Sequence, residues 1–243
     1  MKKYILGIMP LLFIFIAIIS YKNIYNIDYD SLYNTNNLKS MLQCLDNVQQ
    51  NSDYTLGDYV DYNNYRYTLF LNHNKAFGII KFKKGLNGRY MMDDVTTNYG
   101  SVNKDNAVIT PINFQDNYAH FLIYADNINN LIDKTSVTIN ENTVIENKVP
   151  LGNHFIELIN FHSSSDMSEK SSLLTDFKLL DKNHKDISQN YSGSSGGISI
   201  GSMEYIMILS TFVKLNIILA IISMITNTVL LVKKKANLSF KIS

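Results

Sequence analysis

Apolar residues crowd into two long runs, 4–19 and 205–232, and between them break into short segments separated by polar, asparagine-rich stretches. The second run is the clearer of the two. FVKLNIILAIISMITNTVLLV, residues 212–232, supplies the roughly 20 apolar residues that a membrane-crossing helix needs, and Lys233, Lys234 and Lys235 close it. Residues 1–21, where Lys2 and Lys3 precede the first run, read as a signal anchor, with a cleaved signal peptide as the alternative. Residues Ala17 to Ser20 offer no small-x-small pair, and a cut after Ser20 would put Ile18 at the minus-three position, which favours the anchor.

Lysines on the outer flanks of both runs predict, by the positive-inside rule, a two-pass protein of the cell membrane with both termini cytoplasmic and the central domain outside. Cleavage of the first run would leave a single-pass protein. The lipid bilayer is therefore the first expected partner. Lys214 and Asn216 interrupt the second run; Lys214 lies about twenty residues from the triple lysine, near the opposite interface, where it can snorkel. The two residues are also candidates for a contact with a partner helix inside the membrane.

Residues 22–191 change period. In NTNNLKSMLQCLDNVQQN, Leu38, Met41, Leu42, Leu45 and Val48 fall on one helical stripe, with Asn36 or Asn37 as the N-cap, and predict a short amphipathic helix covering a sheet. Residues 65–71, 76–83 and 89–92 then form short runs rich in Tyr, Phe, Ile and Leu, separated by NHNK and KGLNG, and predict a three-stranded meander. Asn87-Gly88 supports a hairpin there, because both residues accept positive φ. Further strands are expected over 119–125, 135–139, 143–145, 155–161 and 174–180, broken by NEN, by the Pro150 to Asn153 turn and by the serine-rich loop 163–172. Residues 192–204 read as a Gly/Ser linker, 205–232 as the membrane helix and 233–243 as a cytoplasmic basic tail. The predicted fold is α+β: a mainly antiparallel β extracytoplasmic domain with one short amphipathic helix, flanked by two transmembrane helices.

Charge narrows the function. The chain carries a net charge of +1, yet residues 22–203 hold about 15 Lys and Arg against about 20 Asp and Glu. A mildly acidic middle disfavours nucleic acid as a partner. Cys44 is the only cysteine, which excludes an intramolecular disulfide and a zinc–thiolate cluster. Gly193 to Gly197 matches G-x-S-x-G, but Ser195 stands in linker sequence with no histidine after it, so no hydrolase elbow is expected. His154 and His162 would share a strand face with Glu157 on the other, which is no compact metal-ligand set. No catalytic residue, cofactor or metal is predicted. The candidate partner surface consists of Tyr54, Tyr59, Tyr62, Tyr65 and Tyr67, whose rings suit protein or glycan contact, with the cations Lys83, Lys84 and Arg89. Asp93 and Asp94 could serve as general acid and base only if a cleft brought a second carboxylate opposite them.

The order FKKGLNGRY, YAHFLIYADNINNLIDKTSVTIN, TDFKLLDKNHKDI resembles poorly characterised, membrane-anchored or lipoprotein-like ectodomains of low-GC Gram-positive bacteria over residues 65–187. In those proteins a hairpin bearing a lysine and a glycine precedes a strand and an Asp-x-Asp/Asn-Gly turn. Arg89-Tyr90 stands here where Trp-Lys is typical, and His184 where the turn glycine belongs. The resemblance implies a bacterial, extracytoplasmic β domain and carries no catalytic residue. Together these readings predict a non-enzymatic membrane protein displaying a protein- or envelope-interaction domain, an accessory, sensory or immunity-type component. An envelope enzyme or carbohydrate-binding module, and a subunit of a larger membrane complex, are the alternatives; another membrane or envelope protein is the expected partner.

Overall fold

The structure, a computed structural model, describes residues 2–42, 53–98, 104–115, 118–139, 143–162, 174–193, 195–198 and 202–239. Along the chain come α1 (Lys2–Ile24), a 3-10 turn (Tyr29–Tyr33), α2 (Thr35–Leu42), β1 (Tyr54–Tyr62), β2 (Tyr65–Asn72), β3 (Lys75–Lys84), β4 (Tyr90–Asn98), β5 (Asp105–Gln115) and β6 (Tyr118–Asp126). A short 3-10 turn (Ile128–Asn130) leads to β7 (Lys134–Ile139), β8 (Thr143–Lys148), β9 (His154–His162) and β10 (Leu174–Leu180). After a last 3-10 turn (Ser188–Asn190) follow β11 (Tyr191–Ser192), β12 (Ser195–Ile198) and α3 (Ser202–Ser239). Two compact units result: one of Met1–Ile27, Gly85–Met91 and Gly201–Ser243, the other of Asp28–Lys84 and Met92–Ile200.

The larger unit is mostly antiparallel β. Among the described residues its sheets run β1-β2-β3-β4-β12, β11-β5-β6-β9 and β10-β7-β8, with β11 alone pairing in parallel. One core lies on the odd-numbered face of β6, where Phe121, Ile123 and Ala125 meet Val137, Ile139, Phe155 and Leu179. The opposite face of β6 turns Leu122 and Tyr124 into a second core with Leu69, Leu71 and Ile79. Side chains two apart on a strand share a face, so β6 feeds two cores and is buried along nearly its whole length. Asp126, at the end of β6, is fully buried and accepts the backbone N–H groups of Ala76 (2.6 Å) and Asn106 (2.8 Å), tying β3 to β5.

The predicted meander is present as β2, β3 and β4, and the five later strands as β6 to β10. Four strands were not foreseen. β1 has a glycine and two aspartates and keeps most side chains half-exposed, as an edge strand can. β5 contains Pro111, and its pairing with β6 shifts register between Pro111 and Asn113, a bulge that accommodates a residue without an N–H. The stretch expected as a Gly/Ser linker supplies β11 and β12, the latter paired antiparallel with β4. Gly193 is required there, because a Cβ would collide with the carbonyl oxygen of Ala107.

α2 begins at Thr35, earlier than expected, with Leu38 and Leu42 fully buried. Its cap is Asn34, whose Oδ1 accepts the Asn36 N–H at 3.0 Å, rather than Asn36 or Asn37. Cys44, Leu45, Val48, the NEN break and the serine-rich loop lie outside the described residues. Turn chemistry is local. His73 and Asn74 both adopt positive φ between β2 and β3, whereas at Asn87-Gly88 only Gly88 does (φ 75°). That second turn closes through Gly88 N–H to Gly85 C=O and Gly85 N–H to Arg89 C=O, a three-residue loop with a left-handed glycine.

His184 also has positive φ (59°), the left-handed conformation that glycine adopts at least cost. Asp181 Oδ1 accepts the N–H groups of Asn183 and Lys185 and holds the turn in shape. His184→Gly should therefore stabilise the fold by about 0.5–1 kcal/mol, the left-handed penalty less glycine's entropy. A thermal melt of the detergent-solubilised chain checks it; a lowered melting temperature would refute it.

In the smaller unit α1 and α3 pack against each other. Among the described side chains Pro10, Ala17, Ser20 and Ile24 are buried on α1, with Phe13 intermediate between the first two; Val213, Asn216 and Ala220 are buried on α3, with Ser223 and Asn227 intermediate at the same spacing of three and four. Ala17, Ile24 and Val213 share one cluster with Met91. A seam of alternating three and four, rich in small residues, is what lets two helices approach closely. Away from the seam the described part of α3 is mostly apolar and exposed, with Thr211, Lys214, Thr226 and Thr228 the polar exceptions. Ser210–Val232 is long and apolar enough to cross a membrane, while Ile8–Ile24 is a shorter apolar stretch.

Candidate functional site

The five tyrosines of the expected surface do not form one exposed platform. Tyr54 and Tyr67 are buried in the β unit. Tyr59 stacks on the Arg66 guanidinium at 3.8 Å, and Tyr29 faces the same group at 4.5 Å. Asp61 fixes that guanidinium with two hydrogen bonds of 2.8 Å, so this arginine is held in one geometry by a carboxylate and two rings. Tyr29 donates into or accepts from Thr68 at 2.9 Å, and burial raises its hydroxyl well above the usual tyrosine range. Tyr62 instead meets the His120 ring at 4.4 Å, and Tyr118 continues that row to His162 at 4.6 Å. Tyr65 takes Lys81 over its face at 4.3 Å, with Lys83 farther off at 5.8 Å.

Asp93 and Asp94 do not point into open solvent together. Asp93 pairs with Lys81 at 2.7 Å. Burial acts to lower the Lys81 ammonium, but the hydrogen bond and charge of Asp93 outweigh it and hold the pKa above the ordinary value. Asp94 lines a small cleft of about 150 Å³ with Tyr67, Lys81, Thr96 and Thr110, over a floor of Ile79 and Leu122. Ligand sites usually measure about 300–1,000 Å³. The cleft therefore has room for a few waters or a small ion, and not for a sugar ring with its substituents.

Among the described residues no three His, Cys, Asp or Glu side chains gather to hold a metal ion. His154 and His162 stand at opposite ends of β9, the first 3.9 Å from Asp58, the second against Tyr118. Glu157 is turned to Thr135, whose hydroxyl donates to it at 3.1 Å, and burial raises its carboxyl above the usual range. Ser195 is the first residue of β12.

The hairpin tip 85–91 offers the clearest built arrangement. Its residues cluster with the end of α1. Ile27 and Tyr90 exchange two backbone hydrogen bonds of 2.9 Å, the Leu86 N–H donates to the Tyr21 hydroxyl at 2.6 Å, and Asn87 Nδ2 donates to the Tyr25 carbonyl at 2.8 Å. Arg89 donates to the Asn26 carbonyl at 3.2 Å. Gly85 must lack a side chain, since a Cβ would stand 2.6 Å from the Tyr25 ring. The tip that carries Arg89 is thus a docking element fastened to the segment just after α1, where it takes the Tyr25 and Asn26 carbonyls, while Lys84 is the last residue of β3.

Beside that tip runs an apolar groove of about 560 Å³ along α1 and α3. Ile14, Ile18, Ile217 and Ile221 form its walls, and Lys22, Leu86 and Asn87 its upper end. Leu86, held in this tight turn, is 98% exposed. Asn216 faces the seam and donates to the Phe212 carbonyl at 2.8 Å, whereas Lys214 is exposed, so the two polar residues of this run serve different faces.

Tyr21, Tyr25, Leu86 and Asn87 were not foreseen as a set. The signal was a pair of tyrosines directly after an apolar run, the position at which aromatic rings settle at a membrane interface. No protein-family model matches the chain, and searches of curated proteins and of solved structures returned no match.

Proposed function

We propose that the chain is a non-enzymatic membrane protein in which α1 and α3 form an antiparallel transmembrane hairpin and the β-rich unit is displayed on the extracytoplasmic side to engage another membrane or envelope protein. The observation that carries this reading is the apolar Ser210–Val232 segment, in which an 18-residue stretch is only 11% buried. A helix of that composition buried so little has no soluble core to sit in. The seam with α1 supports the second pass, since Ser20 and Asn216 are covered where they would otherwise meet lipid. Lys2 and Lys3 before the first pass and Lys233 to Lys235 after the second support cytoplasmic ends. The bacterial envelope setting follows from the resemblance over residues 65–187.

The engaging surface in this proposal is the Arg66 cluster. Tyr59, about half exposed, lies on a guanidinium already fixed by Asp61, and Tyr33, also about half exposed, packs edge-on against Tyr29 beside it. Rigid aromatic rings beside an ordered arginine lose little entropy on contact and are the residue types that dominate protein interfaces.

Topology is tested with single cysteines in a Cys44→Ser background. A membrane-impermeant maleimide should label Leu151→Cys in intact cells and Lys235→Cys only after permeabilisation. The reverse pattern, or equal labelling of both before permeabilisation, would overturn the proposed orientation.

A further inference from the structure

The groove beside the hairpin tip has the dimensions and polarity of one lipid chain. From Ile14 to Lys22 it runs eight residues along α1, about 12 Å at helical rise. One leaflet contributes about 15 Å of hydrocarbon to a bilayer. The walls are isoleucine side chains from both helices, and polar groups enter only at the end where Lys22 and Asn87 stand. Lys22 is exposed and, among the described residues, forms no ion pair. Met1–Ile27 and Gly85–Met91, the segments that carry Lys22 and the hairpin tip, contain no Asp or Glu.

We propose that this groove holds one acyl chain of an anionic phospholipid, with the phosphate at Lys22 and Leu86 inserted beside the first methylenes. The proposal rests on the membrane reading above. An apolar trough closed by a lone ammonium matches an amphiphile whose charge is negative and sits at one end. A partner helix fits less well: it would need a contact face of many turns, while this groove spans about two turns of α1 and about three of α3. Leu86, nearly fully exposed at the head of the groove, becomes intelligible as a side chain shielded by lipid. Tyr21, whose hydroxyl accepts the Leu86 N–H, keeps that leucine fixed at the groove mouth.

The chain has no tryptophan, so Leu86→Trp supplies a unique fluorophore at an open position where a larger ring displaces nothing. The full-length variant is reconstituted in phosphatidylcholine vesicles containing a minor fraction of phosphatidylglycerol, with bromine on the acyl chains of one lipid or the other. Per mole of brominated lipid, phosphatidylglycerol should quench about five-fold more effectively, the preference expected of one lysine for an anionic headgroup. Lys22→Gln in the same background should remove the preference while both proteins still float with the vesicles. Equal quenching by the two lipids with Lys22 intact would overturn the lipid site and leave the membrane reading standing, as would exclusion of both quenchers accompanied by self-association through the groove. Failure to float with the vesicles would overturn the membrane reading itself.

Discussion

Asp126→Ala should be among the most damaging single substitutions in the β unit, lowering its stability by about 2–6 kcal/mol. The carboxylate is fully buried and is the acceptor for the Ala76 and Asn106 N–H groups, at 2.6 and 2.8 Å. Alanine leaves both donors without an acceptor, and an unsatisfied buried donor costs about 1–3 kcal/mol. It also frees the turn before β3 from β5. Asp126→Asn should cost less, because one amide oxygen still accepts while the amide nitrogen opposes the second donor. Thermal unfolding of the detergent-solubilised chain, followed by circular dichroism, measures the order wild type, Asn, Ala; an alanine variant that melts with the wild type would refute the staple.

The same residue has a pH signature. Burial raises the Asp126 carboxyl above its ordinary value, against the lowering effect of its two backbone hydrogen bonds. A raised folded-state pKa means that the native state binds the proton more tightly than the unfolded chain does. The associated stabilisation is complete below the unfolded value, about 3.9, and is lost as pH rises through the higher folded value. Stability should fall over that window, and Asp126→Asn should flatten the part of the slope that this group supplies. Glu157, raised for the same principal reason, contributes in the same direction and remains in the variant.

Gly78→Ala should be the second large effect, a loss of about 3 kcal/mol at the upper end of what overpacking costs. In β3 a Cβ at this position would collide with the Thr96 carbonyl oxygen and lie 2.7 Å from the Phe70 ring and 3.0 Å from the Thr97 Cα. Two of those three neighbours are backbone of β4, which cannot rotate away. The ladder between β3 and β4 would have to open, or Phe70, itself fully buried, would have to leave its place. Unfolding measured against a Gly88→Ala control would separate the mechanisms. Nothing lies within 4 Å of a Cβ built on Gly88, so its penalty comes from its positive φ alone and should be smaller.

These residues show which parts of the fold were legible. β2 and β3 announced themselves, because hydrophobic runs of strand length are bounded by Asn-rich turns, and turn chemistry acts within four residues. β1 and β5 did not. The tyrosines of β1 alternate with glycine and aspartate because its outer edge is unpaired, and Pro111 in β5 reads as a breaker until the bulge that tolerates it is seen. β12 contains two adjacent glycines and gains its conformation from pairing with β4, a partner about a hundred residues away.

The candidate surface was legible in composition and not in grouping. Tyr54 to Tyr67 are close in sequence, but β1 and β2 turn them toward different neighbours: a core, an arginine from the adjacent strand, a histidine from β6. Arg66 was invisible as an organiser because Tyr29, which faces it, comes from a 3-10 turn ahead of the sheet. The tip was legible as a turn for the reason that Gly88 has positive φ. Its attachment to Tyr21 and Tyr25 depends on contacts between residues more than sixty positions apart, which no local pattern carries.

The seam between α1 and α3 has a consequence for the order of assembly. Ile24 and Val213, which share a cluster, are separated by roughly 190 residues of chain. At about 5–20 residues per second, synthesis brings the second helix out roughly ten to forty seconds after the first. For that interval Ser20 and the open last turn of α1 have no helix to cover them. The hairpin tip is complete far earlier, after Met91, and is the first element able to occupy that end of α1. The partner that α1 meets first in chain order is therefore the tip, and its helical neighbour follows more than a hundred residues later.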